Sequence, residues 1–499
     1  MSANITNPAF SGPTRGPIRP APAVSEGTRV AVGGVLAALA ATAVLIAATQ
    51  NALLQHWSLI FIVLNLMLSI FTLAVKIRSV NALLSPFGLL CLFSVYFIGV
   101  APFLHVANDY YLYIRWDNDG RDWVGYWLAA QFFGFLLIFW WGKPLAHASH
   151  RIDPRHTVST FAVKILMIIF AVTMAARAYQ IISFGGISGI INAYHQRLDL
   201  GTGSENAFTG TGVITLIADM SQTLFSLLIV LVCRDKPWSR SSWFFWVYML
   251  VVFAFSITLG GLRGSRGATV ISLLFAVLYF NVLIKPIRLN VIFFGIIGLA
   301  LFMIVGSWYK FGGVEAVFNP QARAQMVKER HIGDEKLFVA LRDFSRTDVQ
   351  AYAMQQYMSG KLPPSLGRSY VGAVFYLVPK AVLPIKPPSF ALEKTNMRYG
   401  EGYFSERGFT TLVMGQFAET LANFWIIGPV AFFIFLGAFV HGAPGRVNYT
   451  GPVTYPDLYA PILSMAPILL LTTDSNILVA KLLQFGFPIF LTQIVSKRS

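Results

Sequence analysis

Charge is scarce in this chain. Only 12% of its 499 residues are Asp, Glu, Lys or Arg, about half the usual share of a soluble domain, whereas 56% are apolar. Between Arg29 and Lys76, 46 consecutive residues carry no formal charge. Long gaps of this kind recur along the chain, which excludes a string of soluble domains and places the protein in a bilayer. Cysteine is nearly absent. Cys91 and Cys233 both lie in or beside apolar runs, so neither a disulfide framework nor a thiolate metal site is indicated. A P-loop, a dinucleotide fingerprint and an HExxH motif are all missing, and nucleotide-driven transport has no support. No acidic cluster suits a metal, so neither a metal nor another cofactor is expected. The net charge of +16 points to membrane orientation and contact with anionic membrane lipids rather than to nucleic acid.

What the chain has in abundance is spans. The pattern predicts an all-α polytopic membrane protein with about twelve transmembrane helices near 30–50, 57–75, 83–105, 123–142, 161–182, 213–233, 243–262, 267–284, 289–307, 411–440, 455–473 and 477–495. The fifth holds Lys164 and Arg177 near its ends, where basic side chains snorkel to headgroups. The tenth reads as long or tilted. Residues 1–29 read as a flexible tail rather than a cleavable signal. With the N-terminus cytoplasmic, inner segments hold 17 basic residues against three acids, and short outer loops hold six against seven. That asymmetry places both termini inside. The domain organisation is thus a tail at 1–29, nine helices within 30–307, a large, mostly helical outer loop at 308–410, and three helices with a cytoplasmic end at 411–499.

The loop holds 14 basic and nine acidic residues, a balance suited to phosphate or another anionic group. Its stretch 320–359 is helical in character and places Arg342 and Arg346 four apart on one face, either as a solvated ion-paired surface or as a substrate-facing pair. Gly360 and Pro363–Pro364 end that helix. The run 371–385 is segmented by proline and reads as re-entrant or interfacial. Residues 396–408, NMRYGEGYFSERG, combine glycines with Arg398, Glu401, Glu406 and Arg407, a mixture that suits a sugar-handling loop or any mobile outer loop. His195 and Arg197 are further candidate sugar contacts. The inner-loop histidines His147, His150 and His156 lack carboxylate partners and read as headgroup-facing.

Arginines at an outer membrane boundary need compensation. Arg263 and Arg266, within GGLRGSRG at 260–267, are suited to phosphate because a guanidinium matches it bidentately; lipid headgroups are the alternative partner. Three acids fall within spans: Asp219, Glu419 and Asp457. Each should face the bundle interior or a water-filled cavity. Glu419 shares a helix face with Asn423 and has two open roles: balancing an arginine, or accepting a proton from a sugar hydroxyl. Asp219 reads as structural, and Asp457 lies near an inner boundary.

Three stretches carry a family resemblance. GLRGSRG at 261–267, GRSYVGAVFYLVPKAVLPIKPP at 367–388 and GFTTLVMGQFAETLANFWIIG at 408–428 are similar to segments of the O-antigen and oligosaccharide repeat-unit polymerases of bacterial envelopes. Two positions depart from that pattern. Lys380 stands where arginine often follows proline, and Trp425 where glycine is common. The resemblance implies a GT-C-like architecture in the bacterial inner membrane with a periplasmic active face. It implies a metal- and nucleotide-independent glycosyltransferase whose substrates are polyprenyl-diphosphate-linked oligosaccharides, together with a chain-length regulator and a flippase as pathway partners. Arg263, Arg266 and, from the outer domain, Arg342 or Arg346 would meet charge on the departing diphosphate, and Glu419, with Glu401 or Glu406 as rivals, would orient or deprotonate the acceptor. Arg342, Arg346, Arg368, Lys380, Lys386, Arg398, Glu401, Glu406, Arg407 and Asn423 would contact substrate. Rival readings are an O-antigen ligase-like transferase, a transporter or flippase of the same lipid-linked sugar, and a structural subunit of an envelope synthesis complex.

Overall fold

The computed structural model describes residues 25–51, 54–111, 113–114, 118–140, 157–189, 212–260, 266–329, 337, 341, 345–375, 378, 382–383, 385–400, 413–443 and 445–497. The first half of the chain folds as α1 (Glu26–Gln50), α2 (Ser58–Lys76), α3 (Pro86–Ala107), α4 (Asn118–Trp140) and α5 (Thr160–Ser183). It continues as α6 (Gly212–Cys233), α7 (Ser242–Leu259), α8 (Arg266–Leu283) and α9 (Leu289–Phe318). Between these and the last helices stand four short ones: α10 (Pro320–Glu329), α11 (Thr347–Met358), α12 (Arg368–Phe375) and α13 (Phe390–Tyr399). The chain ends in α14 (Gln416–Phe424), α15 (Ile427–Gly442), α16 (Tyr455–Thr472) and α17 (Ser475–Lys497).

Ten helices, α1 to α9 and α17, are long and apolar enough to cross a membrane among the described residues. The protein is therefore an all-helical, polytopic membrane protein with substantial helical segments outside the spans. Of the remaining expected spans, 455–473 is an 18-residue helix whose prolines and Asp457 dilute its apolar character. The expected long helix at 411–440 is two helices. It breaks at Trp425, which takes a left-handed φ of 55°, and only the 16-residue α15 keeps the apolar composition of a span. Periodicity could not show this break, because apolar residues continue on both sides of it.

Two apolar cores hold the bundle. One joins α6, α7, α8, α16 and α17, with the Phe225 and Phe255 rings stacked 3.9 Å apart. The other joins α2, α3, α4 and α15 through residues such as Ile62, Phe97, Trp127, Phe135 and Phe433. A π turn at Val95–Val100 interrupts α3 where it packs on α2.

Side-chain contacts define the two ends of the bundle. At one end Asn51 donates to the Ala107 carbonyl at 2.7 Å, His105 meets Ser345 at 2.9 Å, and Trp127 donates to Gln350 at 2.9 Å, so α11 is seated on the ends of α3 and α4. At the opposite end Arg234 donates to the carbonyls of Leu283, Asn448 and Gly451 and ties α6 and α8 to the segment before α16. Asp457 closes a capping box with Thr454 there, which gives that acid a structural role.

The fifth span departs from expectation. Arg177 does not snorkel. Its side chain is buried, donates to Gln180 Oε1 at 2.6 Å and pairs with Asp219 on α6. Gln484 on α17 donates to the Asp219 backbone carbonyl at 2.9 Å. The acid on the neighbouring helix makes burial cheaper than reaching for the headgroups. Replacing Arg177 by Met removes the cation that faces Asp219 and is expected to cost about 3 kcal/mol. Thermal unfolding in detergent should show this loss, and Arg177→Met combined with Asp219→Leu should recover most of it.

Candidate functional site

Where α16 gives way to α17, the chain reads TTDSN, and Asp474 enters a fully buried position. One carboxylate oxygen pairs with Lys394 from α13, also buried. The other accepts the backbone N–H groups of Met414 at 3.0 Å and Gly415 at 2.9 Å, at the entry to α14. Gly415 has φ 86°, and a Cβ there would lie 2.2 Å from the Leu471 carbonyl oxygen, so only glycine lets the two backbones approach this closely.

One turn into α14, Glu419 is equally buried. Its Oε1 accepts the Ser369 hydroxyl of α12 at 2.7 Å, and its Oε2 accepts the Ser475 N–H at 2.6 Å and the Gln416 amide at 3.3 Å. Asn423, four residues on, donates to the Ser369 oxygen at 2.7 Å and to the Glu419 backbone carbonyl at 2.8 Å, while its own oxygen accepts the Gly367 N–H at 2.9 Å. Thus the expected shared face of Glu419 and Asn423 exists, and α12 is fastened over it. Among the described residues the Glu419 carboxylate meets hydroxyl, amide and backbone donors and no arginine.

The two carboxylates therefore have different surroundings. Burial, and then the negative charge of Asp474, push the Glu419 carboxyl from an ordinary 4.5 to about 7, against the pull of its donors Ser475 and Ser369. Glu393, on α13, is also pushed upward, chiefly by burial, against the pull of the Ser365 hydroxyl and the Arg368 charge. Around the polar cluster runs an aromatic rim. Tyr370 stacks on Phe424 with centroids 6.1 Å apart, and Trp425 donates its indole N–H to the Tyr357 carbonyl at 2.9 Å. Phe424 and Trp425 are both exposed. Trp425 is also the position where the resemblance expects glycine, and its left-handed backbone explains why glycine fits there: a bulky residue at that φ carries strain. Beside the cluster, Asn476 buries a side-chain oxygen that has no partner among the described residues.

The other expected site residues are distributed as follows. Arg346 is the N-cap of α11 rather than part of its face, and donates to the Thr472 carbonyl at 3.2 Å, two residues from Asp474. Arg266 lies at the same end of the bundle but against α9, donating to the Met303 carbonyl at 3.3 Å; it is buried in helix packing. Arg368 opens α12 and is exposed, Lys386 lies half-buried in the return from α12, and Arg398 stands 5.2 Å over the Tyr113 ring. Gly372 packs against the Pro388 carbonyl, so the chain leaves and returns at one end of the bundle. Arg263, Arg342, Lys380, Glu401, Glu406, Arg407, His195 and Arg197 lie outside the described residues, as do His147, His150 and His156.

Sequence reasoning missed Asp474, Lys394, Ser369, Gln416 and Gln350, whose amide bridges Trp127 to the Met414 carbonyl. One signal was present: Asp474 is the only charged residue between Asp457 and Lys481. Lys394 had none, since its partner lies 80 residues away.

The raised Glu419 value makes stability depend on pH with a definite sign. Between about 4.5 and 7 the folded protein retains a proton that the unfolded chain has released, so this stabilisation is complete below that window and is lost as pH rises through it. The span amounts to about 3 kcal/mol. Melting temperatures from pH 5 to 8 should fall more steeply for the parent than for Glu419→Gln, which keeps a neutral side chain throughout.

In comparison with known proteins, no family model matches the chain, and neither a curated protein nor a solved structure matches it significantly.

Proposed function

We propose that the protein is a bacterial inner-membrane glycosyltransferase that polymerises polyprenyl-diphosphate-linked oligosaccharide repeat units into a surface polysaccharide, working at the periplasmic face. The observation that carries this reading is the pair of buried carboxylates at one end of the spans: Asp474 held by a lysine, Glu419 held by neutral donors with a value near neutrality. A carboxylate with that value both takes up and releases a proton at working pH, as a general base must. The aromatic rim of Tyr370, Phe424 and Trp425 offers flat apolar faces to sugar rings, and the Asn476 oxygen, which has no partner among the described residues, offers an acceptor for a hydroxyl.

The chemistry balances without a nucleotide. The acceptor hydroxyl oxygen forms a bond to the anomeric carbon of the growing glycan, and the carbon–oxygen bond to the lipid diphosphate breaks. The hydroxyl proton passes to the Glu419 carboxylate, and the bonding electrons leave with the diphosphate. Negative charge building on that group requires fixed cations. Lys394 pairs with Asp474 and Arg346 donates to the Thr472 carbonyl beside it, while Arg263 and Arg266 stay the choice drawn from the resemblance. Losing one well-placed donor of this kind costs about 3 kcal/mol, or roughly a hundredfold in rate. In this state the Ser369 hydroxyl occupies the place of an acceptor hydroxyl, 2.7 Å from Glu419 Oε1. Substrate entry therefore requires α12 to lift from α14, and the exposed apolar residues Leu366, Val371 and Val374 flank that movable piece.

Transport of the same lipid-linked sugar is the second reading. It draws on the Arg177–Asp219 pair within the spans and on Gln131, a fully buried side chain in α4 whose polar atoms have no partner among the described residues.

Purified protein incubated with a defined lipid-diphosphate oligosaccharide is expected to yield a ladder of repeat lengths. Glu419→Gln should remove the ladder at least a hundredfold in rate while the variant remains folded. Transfer to a lipid A core would favour the ligase-like transferase. Movement of the lipid-linked sugar across vesicle membranes without new glycosidic bonds would favour transport. A ladder from Glu419→Gln at the parental rate would make Glu419 purely structural.

A further inference from the structure

A second basic feature lies at the opposite end of the bundle from Glu419. The first turn of α1 and the last turn of α2 enclose a groove of about 370 Å³, lined by Arg29, Val32, Ala74, Ile77 and Arg78. Its volume falls in the range of small-ligand sites. The lining combines three apolar residues with two arginines, and Lys76 is exposed at the same helix end. Glu26, in the first turn of α1, is the only acid among the first 108 residues.

Beyond the groove, α1 turns its apolar side outward. Val32, Val35, Leu36 and Leu39 are all exposed, and α2 is the main neighbour of α1 in the bundle. The arrangement sets two arginines beside apolar residues that continue along a lipid-facing helix at a span terminus. An inorganic anion would use the arginines and leave the apolar track empty. A molecule with a phosphate head and acyl chains uses both.

We propose that this groove is a binding site for one anionic phospholipid, its headgroup phosphate held between Arg29 and Arg78 and an acyl chain lying along Val35, Leu36 and Leu39. Arginine suits the role because its planar donors engage two phosphate oxygens at once. The site joins α1 to α2 from the membrane side, and it is independent of the chemistry assigned to Glu419.

Full-length protein in neutral detergent, titrated with phosphatidylglycerol or phosphatidylcholine and read by native mass spectrometry, tests the assignment. Phosphatidylglycerol should be retained and phosphatidylcholine should not. Arg29→Gln with Arg78→Gln should weaken retention roughly twenty-fivefold, at about fivefold for each basic residue lost at an anionic surface. Arg78→Gln alone changes an exposed residue and should show the fivefold step in a protein that folds normally. Arg288→Gln, an exposed arginine at the same end but outside the groove, should leave retention unchanged. Equal retention of the two lipids, or retention by the double variant equal to the parent, would overturn the proposal. So would glycerol phosphate binding as tightly as phosphatidylglycerol, since the site would then recognise a free anion and not a lipid.

Discussion

A carboxylate removed from water at the edge of a bilayer must be met by a cation, by a set of donors, or by a proton, and the protein uses each of these answers at a different place. Asp474 takes the cation, from Lys394, and adds two backbone N–H groups. Glu419 takes donors from three segments and, near neutrality, a proton. Asp219 takes Arg177 within the spans. These requirements hold together elements that apolar packing alone would leave indifferent to one another, because a buried charge tolerates few arrangements whereas leucine tolerates many.

The consequence is clearest around α14. This short helix owes its position to Gly415, which brings its start against Leu471, and to Trp425, whose left-handed backbone turns the chain into α15. Gly428 then packs against the Thr420 carbonyl, which keeps the two helices close. The result sets Glu419 beside the α16–α17 turn rather than facing lipid. Strain at Trp425 is compatible with a functional role because the indole N–H is anchored to Tyr357 and the ring remains exposed at the rim. Packing and site geometry are thus one problem here, solved by backbone conformations that ordinary helix propensity opposes.

Much of this was visible in the order of residues. The membrane class, nine consecutive spans and the last one follow from apolar run length, since about 20 residues are needed to cross hydrocarbon. The end of α11 near Gly360 and Pro363 follows from local backbone chemistry. The shared face of Glu419 and Asn423 follows from helical spacing. Other features were out of reach. Arg177 reads as a snorkelling residue until Asp219 is placed beside it, and the expected helix over 411–440 reads as continuous until Trp425 is seen with a positive φ. Arg346 looks like a helix-face residue because it stands four after Arg342, yet it is the N-cap of α11.

Sequence alone determined what each segment is: span, short amphipathic helix or polar turn. Those properties depend on neighbours within a few residues, through hydropathy, spacing and backbone constraint. Only the tertiary structure decided which charged groups meet, because Lys394 and Asp474, or Ser369 and Glu419, lie tens of residues apart and nothing local couples them. It also decided that Asp474 is answered by a lysine and Glu419 by neutral donors. That difference comes from the dielectric surroundings and partners of each carboxylate, which exist only once α12, α13, α14 and the α16–α17 turn have closed over them.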